Sequence, residues 1–347
     1  MTPHVLLQLD SKTVPDTPGE LRVFLTVRDE MIRLPGFFKY YRDQGVDRFI
    51  VVDNGSTDGT TAYLLQQPDV HVFGTTDSFA AARSGINWMN ALTDRYGTGY
   101  WCLRVDADEL LVYPHCERKN LKAFCAFLEA EGSEGIFTFM LDMYPQGSVK
   151  DAVCKPDSNF FDVCPCFDKD YRFVDRIHMR GDEPFPRQEV LGGPRTRCFY
   201  PDQLNITDAQ RKRIHIIRRI IHHLRKRHIP VPQFSIQAPA LFKIPLVKWS
   251  KGMAYTASTH QIGRLKLSPV TGVLAHFKFF SDFHARAVKA VAENEHAEGA
   301  SEYKRYLARG ELSGSLAYAG TQHYTGSASV LSSGLIKTSD SWDKAAV

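Results

Sequence analysis

The chain has 347 residues, of which 43% are hydrophobic and 24% are charged. This is the composition of an ordinary globular protein, and it excludes collagen-like chains, coiled-coil rods and wholesale disorder. The formal net charge of +4 is too small for a nucleic-acid footprint over the whole molecule, so nucleic acid is not an expected partner. We find no run of about eighteen apolar residues and no signal peptide, which predicts a cytoplasmic protein.

Strand and helix patterns alternate after an N-terminal extension at 1–21. Short runs of β-branched and aromatic residues predict strands, and amphipathic runs predict helices. In chain order the predicted elements are a strand at 22–27, a helix at 30–41, a strand at 48–52, a helix at 60–67, a strand at 70–73, a helix at 79–96 and a strand at 100–105. Three such units predict an α/β fold with a mostly parallel sheet flanked by helices. Asp53 and Asp106 lie at the carboxyl ends of strands, where such sheets bind ligands.

The alternation weakens in the second part of the chain. The predicted elements there are a strand at 135–144, irregular loops at 145–201, a helix at 207–228, short strands at 246–249 and 272–280, and a helix at 283–293. A tail follows at 311–347, and its Ser/Gly-rich part is expected to be loosely ordered.

An acidic motif, Asp106-Ala107-Asp108-Glu109, follows the last predicted strand of the first part. Crowded like charges cost stability unless a cation compensates them, and a divalent metal is the usual compensator. If the segment is extended, Asp106 and Asp108 point the same way and Ala107 points away, because the side-chain period is two. The spacing suits Mg²⁺ or Mn²⁺, which keep open positions for diphosphate oxygens. The alternative for an isolated motif of this kind is an acidic β-turn.

Five segments together resemble the family 2 glycosyltransferases, specifically the single-domain bacterial branch related to the family 92 type. They are TVRDEMIRLPGFFKYYRDQGVDRFIVVDNGSTDGT, WCLRVDADELLVYP, GGPRTRCF, LFKIPLVKW and HFKF, and the likeness spans roughly 22–283. The resemblance implies a GT-A fold. A Rossmann-like half at 22–134 would bind a nucleotide-diphosphate sugar, with a UDP-sugar favoured, and a half at 135–310 would bind a glycan or lipid-linked acceptor. It also implies a divalent metal, Mn²⁺ or Mg²⁺.

The resemblance further implies roles for individual residues. Asp53 would contact the base or ribose of the donor with Thr26 and Arg28 nearby, whereas Arg83 would contact the diphosphate or sugar. Asp106 would contact the donor and bind the metal together with Asp108, and His276 would be the third metal ligand. Arg83 has the alternative of a plain surface arginine, and His276 that of a packed, hydrogen-bonded histidine.

The catalytic base is less clear in the sequence. A single displacement with inversion at the anomeric carbon, as the resemblance implies, needs a group that accepts the proton of the acceptor hydroxyl. Asp142 and His260 are the two candidates, and each has a structural alternative. Two other functions stay open: a non-catalytic nucleotide-sugar-binding module, and a sugar-nucleotide-processing nucleotidyltransferase. The second usually carries a glycine-rich loop after the first strand, and residues 26–33 contain no glycine.

One segment carries the excess positive charge. Residues Arg211 to His228 include eight Lys/Arg and four His and no acidic residue. Ile214, Ile217, Ile221 and Leu224 fall on one helical face. Such a helix can lie on anionic lipid as a peripheral contact at the inner face of the membrane. A lipid-linked acceptor would also explain such a surface. The alternative, which so few apolar anchors favour, is a helix that buries its isoleucines in the core.

Overall fold

The computed structural model describes residues 6–177, 186–227, 229, 238–257, 259–295, 297–310, 312 and 314–346. Within them the strands are β1 (Leu7–Gln8), β2 (Leu21–Val27), β3 (Arg48–Asp53), β4 (Val70–Gly74), β5 (Trp101–Arg104), β6 (Glu109–Val112), β7 (Thr138–Tyr144), β8 (Cys166–Asp168), β9 (Tyr171–Asp175), β10 (Gln188–Gly192), β11 (Phe242–Lys243), β12 (Leu246–Lys248), β13 (Gly272–His276) and β14 (Thr321–His323).

The helices are α1 (Leu34–Asp43), α2 (Thr60–Leu65), α3 (Ile86–Tyr96), α4 (Leu121–Glu131), α5 (Phe160–Val163), α6 (Gly193–Phe199), α7 (Asp208–Lys226), α8 (Phe283–Glu293), α9 (Ala297–Ala308), α10 (Ser327–Ser332) and α11 (Asp340–Ala346). Short 3₁₀ turns lie at Val149–Asp151 and Pro201–Gln203. The predicted helix at 79–96 begins only at Ile86, because Arg83, Ser84 and Gly85 have positive φ angles of 57°, 58° and 72°.

The first sheet has the strand order β1-β4-β3-β2-β5-β12. Its four central strands are parallel, and β1 and β12 add antiparallel edges. Apolar runs that are buried on both faces are typical of such central strands. Val23 and Leu25 face one apolar cluster with α1, whereas Phe24 faces another with α3. The predicted α/β class, with a mostly parallel sheet flanked by helices, is confirmed.

The second sheet has the order β14-β8-β7-β13-β6, with β11 also paired to β7. β7 and β13 are parallel, and the other pairings are antiparallel. The register sets His276 opposite Asp142 on one side and opposite Glu109 on the other. This register brings three ionisable residues from distant parts of the sequence to one end of the sheet.

The two predicted halves share strands across their boundary at 134/135. β12, from the second half, pairs with β5 of the first sheet, and the chain passes from β5 to β6 of the second sheet through residues 105–108. The acidic motif therefore lies where the two sheets meet.

Both terminal segments are attached to the sheets, whereas the Ser/Gly-rich part of the tail was expected to be loosely ordered. In the extension, of which residues 1–5 lie outside the described residues, β1 pairs with β4. In the tail, β14 pairs with β8, and the Trp342 side chain packs against Tyr113 and Phe124 and donates to the Pro114 carbonyl. Apolar side chains of the tail belong to the main core, although the composition of the tail is rich in Ser and Gly.

Helix α7, which contains most of the basic segment, does not bury its isoleucines as expected. Arg211 is buried, but Ile216, Ile217 and Ile220 are exposed, and no isoleucine of α7 belongs to the described core. Of the predicted apolar face, Ile217 is exposed and Ile214 and Ile221 are half-buried, so this face does not pack into the described core. His228, at the end of the predicted helix, lies outside the described residues. No helix in the described part of the chain is long and apolar enough to cross a membrane.

Candidate functional site

A cleft opens where the carboxyl ends of β2 and β5 meet the end of β13. Its volume is about 300 Å³, at the lower end of small-molecule sites. Charged and polar side chains dominate its walls. The lining residues are Thr26, Val27, Arg28, Asp29, Glu30, Asn54, Phe79, Asp106, Ala107, Asp108, His276, Lys278, Arg286, Lys289, Ala290, Glu293, Glu295 and Tyr303.

The acidic motif enters the cleft as a tight turn. The Glu109 backbone N–H donates to the Asp106 carbonyl at 3.0 Å, and the Glu109 carboxylate accepts from the Asp106 N–H at 3.2 Å. The expectation of an extended segment is therefore wrong, and Ala107 lines the cleft instead of pointing away from it. Asp106 and Asp108 nevertheless both reach the same cleft, because the turn presents their side chains there.

Protein cations compensate the three acids. Lys243 is buried and ion-paired with buried Glu109, and it lies 3.4 Å from Asp106. Arg286 Nη1 lies 3.6 Å from Asp108 Oδ2. Burial raises the pKa of Asp108, but His276 and Arg286 outweigh it and hold that pKa well below its usual range. Compensation of the crowded charge therefore does not require a metal, contrary to the premise drawn from the sequence.

Each ring nitrogen of His276 faces a carboxylate. Its Nδ1 lies 2.6 Å from Asp142 Oδ1, and its Nε2 faces Asp108 Oδ2 at 3.8 Å. The other Asp142 oxygen accepts from Arg195 Nε at 2.8 Å. A neutral histidine that donates one ring N–H to a carboxylate presents the other nitrogen as a lone pair, which is the arrangement of metal-bound histidines.

Asp108 Oδ2 and His276 Nε2 lie 3.8 Å apart. Two ligand atoms at neighbouring octahedral positions of a cation, each about 2.1 Å from it, are about 3.0 Å apart, so the two side chains would have to move closer together to bind one divalent cation. Among the residues that the structure describes, no three His, Cys, Asp or Glu side chains are grouped to hold a metal. Mg²⁺ is commonly held by one or two protein carboxylates with substrate phosphates and water, so two protein ligands suffice. Asp106, predicted as a further ligand, is not grouped with them.

The wall of the cleft next to the acidic turn is basic, and its cations come mostly from α8. Arg286 Nη2 pairs with Glu30 at 2.8 Å, and Lys289 pairs with Asp29. Lys278 follows β13 and lies 3.4 Å from Glu302. Burial lowers the pKa of Lys278, but Glu302 outweighs it and the pKa is raised, so the ammonium stays charged. The wall thus presents fixed positive charge to a ligand in the cleft.

Arg28 lies in the same cleft, where it pairs with Glu293 at 3.1 Å. Thr26 lines the cleft as well, and its buried Oγ1 has no hydrogen-bond partner within the described part of the chain. A side chain at Gly85 would lie 3.3 Å from that oxygen and 3.1 Å from the Phe79 ring. Glycine is therefore needed at position 85, where φ is +72°.

Asp53 and Arg83 do not reach the cleft lining in the described structure. Asp53 is buried, and its carboxylate accepts from the backbone N–H and hydroxyl of Ser56 at 2.9 and 2.6 Å and from the Thr61 hydroxyl. It thereby holds the turn after β3, and its neighbour Asn54 lines the cleft in its place. Arg83 donates to the Thr256 carbonyl at 2.6 Å. Neither side chain is placed to contact a ligand in the cleft.

Neither predicted base lies among the residues described as lining the cleft. Asp142 is fully buried, and both of its oxygens are engaged by Arg195 and His276. His260 Nδ1 lies 2.7 Å from the Phe242 carbonyl, and burial together with Lys243 lowers the pKa of His260 to about 4. Asp142 positions His276, and because it is fully buried a substrate hydroxyl does not reach its oxygens.

The basic wall and the aromatic residue of the cleft were not among the residues predicted from the sequence. Lys278 stands in the HFKF segment, and Arg286 and Lys289 are three apart on a predicted helix. That spacing places them on one face, which is a readable signal. Phe79 carries no such signal, because the approach of its ring to Thr26 depends on the positive-φ turn before α3.

No protein-family model matches the chain, and no curated protein matches it significantly.

Proposed function

We propose that the protein is a glycosyltransferase with a GT-A fold. It would transfer a sugar from a nucleotide-diphosphate sugar, with a UDP-sugar favoured, to a hydroxyl of a glycan or lipid-linked acceptor. The observation that supports this best is the convergence of Asp106, Asp108 and His276 on one cleft at the carboxyl ends of β2 and β5. The resemblance of the sequence to family 2 glycosyltransferases points in the same direction.

The nucleoside would bind at the end of the cleft formed by Thr26 and Phe79. The free Thr26 hydroxyl is suited to a hydrogen bond with the base or ribose, since a buried polar atom without a partner is costly. The Phe79 ring offers an apolar face beside it. The Asp106 side chain is 64% exposed and can accept hydrogen bonds from ribose or sugar hydroxyls.

The diphosphate would lie beside Asp108 and the basic wall. Asp108 and His276 would hold a divalent cation, which as a Lewis acid stabilises negative charge on the leaving diphosphate. Lys278 and Arg286 line the same cleft and add positive charge next to Asp108. Their charges are fixed in advance by Glu302 and Glu30, so they need no reorganisation as the leaving group becomes more negative.

The test is donor binding and donor hydrolysis with Mn²⁺ and with chelator, for UDP-, GDP- and dTDP-sugars. A ligand at 100 times its Kd stabilises the folded state by about 2.7 kcal/mol, which a thermal-shift measurement detects. We expect one nucleotide class to stabilise the protein in the presence of metal. We expect Asp108→Asn to lose this metal-dependent stabilisation relative to its own ligand-free melting temperature. Asp43→Asn, which removes an exposed carboxylate on α1, is the matched control and should respond as wild type.

The outcomes separate the alternatives. Metal-dependent stabilisation with hydrolysis or sugar transfer supports the transferase. Stabilisation without turnover on any acceptor screened favours a nucleotide-sugar-binding module, and formation of a nucleotide sugar from a sugar phosphate favours a nucleotidyltransferase. If no sugar nucleotide stabilises the protein and Asp108→Asn behaves as the control does, the proposal is wrong.

A further inference from the structure

Helix α7 presents an apolar strip to solvent. Ile216, Ile217 and Ile220 are 52%, 39% and 54% exposed, and Ile229 just beyond the helix is 44% exposed. At about 100° per residue, Ile216, Ile217 and Ile220 fall within about a third of the helix circumference. Large apolar side chains that are grouped on a surface mark an interaction site, whereas single ones do not.

The opposite side of α7 is anchored to the protein. Arg211 is 6% exposed and donates to the Asp175 carbonyl at 2.8 Å and to the Glu189 carboxylate at 2.6 Å. Ile214, one turn further along, lines a small cleft with Phe242. These contacts fix the rotation of the helix about its axis. The strip therefore faces outward because the fold holds it there.

Positive charge surrounds the apolar strip. Lys212, Arg213, His223 and Arg227 are exposed on α7 or directly after it. No acidic residue occurs from 209 to 229, and the single acid of α7, Asp208 at its first position, pairs with Arg211. A second copy of the same surface would meet it with like charge, and nucleic acid would leave the isoleucines in water. A surface that is both anionic and able to accept apolar side chains matches both features.

We propose that α7 docks the protein on anionic phospholipid membranes, with Ile216, Ile217 and Ile220 entering the headgroup boundary and the basic side chains contacting lipid phosphates. Each basic residue near such a surface strengthens binding about fivefold. This interaction is independent of the cleft and requires no donor, so its failure would leave the transferase proposal standing.

The test is sedimentation of the full-length protein with phosphatidylcholine vesicles and with vesicles that also contain phosphatidylglycerol. We expect binding to the anionic vesicles only. Ile216→Ser with Ile220→Ser should weaken it about tenfold or more, and Lys212→Gln with Arg213→Gln about thirtyfold. The matched controls are Val153→Ser, an equally exposed apolar residue, and Lys39→Gln with Lys251→Gln. Both should bind as wild type does.

The replaced residues are exposed, so the melting temperatures of all variants should match wild type and a loss of binding is not a loss of fold. Anionic-vesicle binding that the isoleucine variant retains would overturn the proposal. An absence of vesicle binding would also overturn it. In that case, a wild-type dimer that Ile216→Ser with Ile220→Ser converts to monomers would identify the apolar strip as a dimer interface.

Discussion

The role of Asp142 is the point at which sequence and structure make opposed predictions. The sequence suggests a catalytic base, and the structure shows a buried carboxylate between Arg195 and His276. Asp142→Asn keeps the shape and removes the charge. Arg195 is only 4% exposed and would retain Glu302, at 3.5 Å, as its remaining acidic partner. Breaking a buried ion pair by removing one partner costs about 3–5 kcal/mol, and the remaining acid favours the lower end.

The expected loss is therefore about 3 kcal/mol of unfolding free energy. An unfolding entropy of about 2.1 cal/mol/K per residue converts this loss to a fall in Tm of about 4 °C for a chain of this length. Because Asp142 orients His276, we also expect metal affinity to fall about 10–100-fold. Thermal unfolding and titration with Mn²⁺ measure the two effects. Asp202→Asn is the control, since it breaks a surface pair with Arg305 and should cost under about 1 kcal/mol.

The pH dependence gives a further check on Asp142. Burial raises its pKa, but Arg195 and His276 outweigh burial and hold the pKa below the ordinary value. A carboxylate of this kind stabilises the fold above its unfolded pKa of about 3.9, and the stabilisation is lost as pH falls through the lower folded pKa. The Tm difference between wild type and Asp142→Asn should be constant above about pH 5 and narrow below about pH 4. Unchanged stability and metal affinity with loss of turnover would instead identify Asp142 as the base and refute our reasoning.

Three other substitutions test the remaining parts of the structure. Lys243→Met leaves Glu109 buried without its cation and should cost about 3–5 kcal/mol, whereas Lys243→Met with Glu109→Gln should recover most of that loss in thermal unfolding. Trp342→Ala should cost about 3–5 kcal/mol, because the indole is 1% exposed in the core, while donor binding to the folded protein is retained. His260→Phe should change turnover less than about tenfold, since the ring lies outside the described cleft lining and its pKa of about 4 leaves it neutral at pH 7.

Each of these has a clear contrary result. A double variant as unstable as Lys243→Met alone would mean that Lys243 is needed for more than its charge pairing. Val153→Ala, at an exposed position, is the control for Trp342→Ala. If Trp342→Ala is as stable as this control, the tail is loosely attached. A hundredfold loss of turnover in His260→Phe at unchanged Tm would restore His260 as a candidate base.

The local pattern of the sequence was sufficient for the α/β class and for part of the cleft. Short apolar runs rich in β-branched and aromatic residues are typical of central parallel strands, so β2, β3 and β5 were predictable. The acidic motif after β5 was predictable as part of a site because strand ends meet at one edge. Its conformation was not, since Asp106 to Glu109 form a turn whose geometry depends on the next strand belonging to a different sheet.

The tertiary structure alone decided how charges pair across the cleft and what the helices and tail cover. Lys243 and Arg286 are far from Glu109 and Asp108 in sequence, and only the pairing of β11 with β7 and the docking of α8 bring them close. Asp142 and His276 were both recognisable, but their contact depends on the parallel register of β7 and β13. Whether the isoleucines of α7 face the core or solvent depends on its rotation, which the buried Arg211 sets through partners distant in the chain. Composition and periodicity describe which residues share a face, and only long-range contacts determine what that face meets.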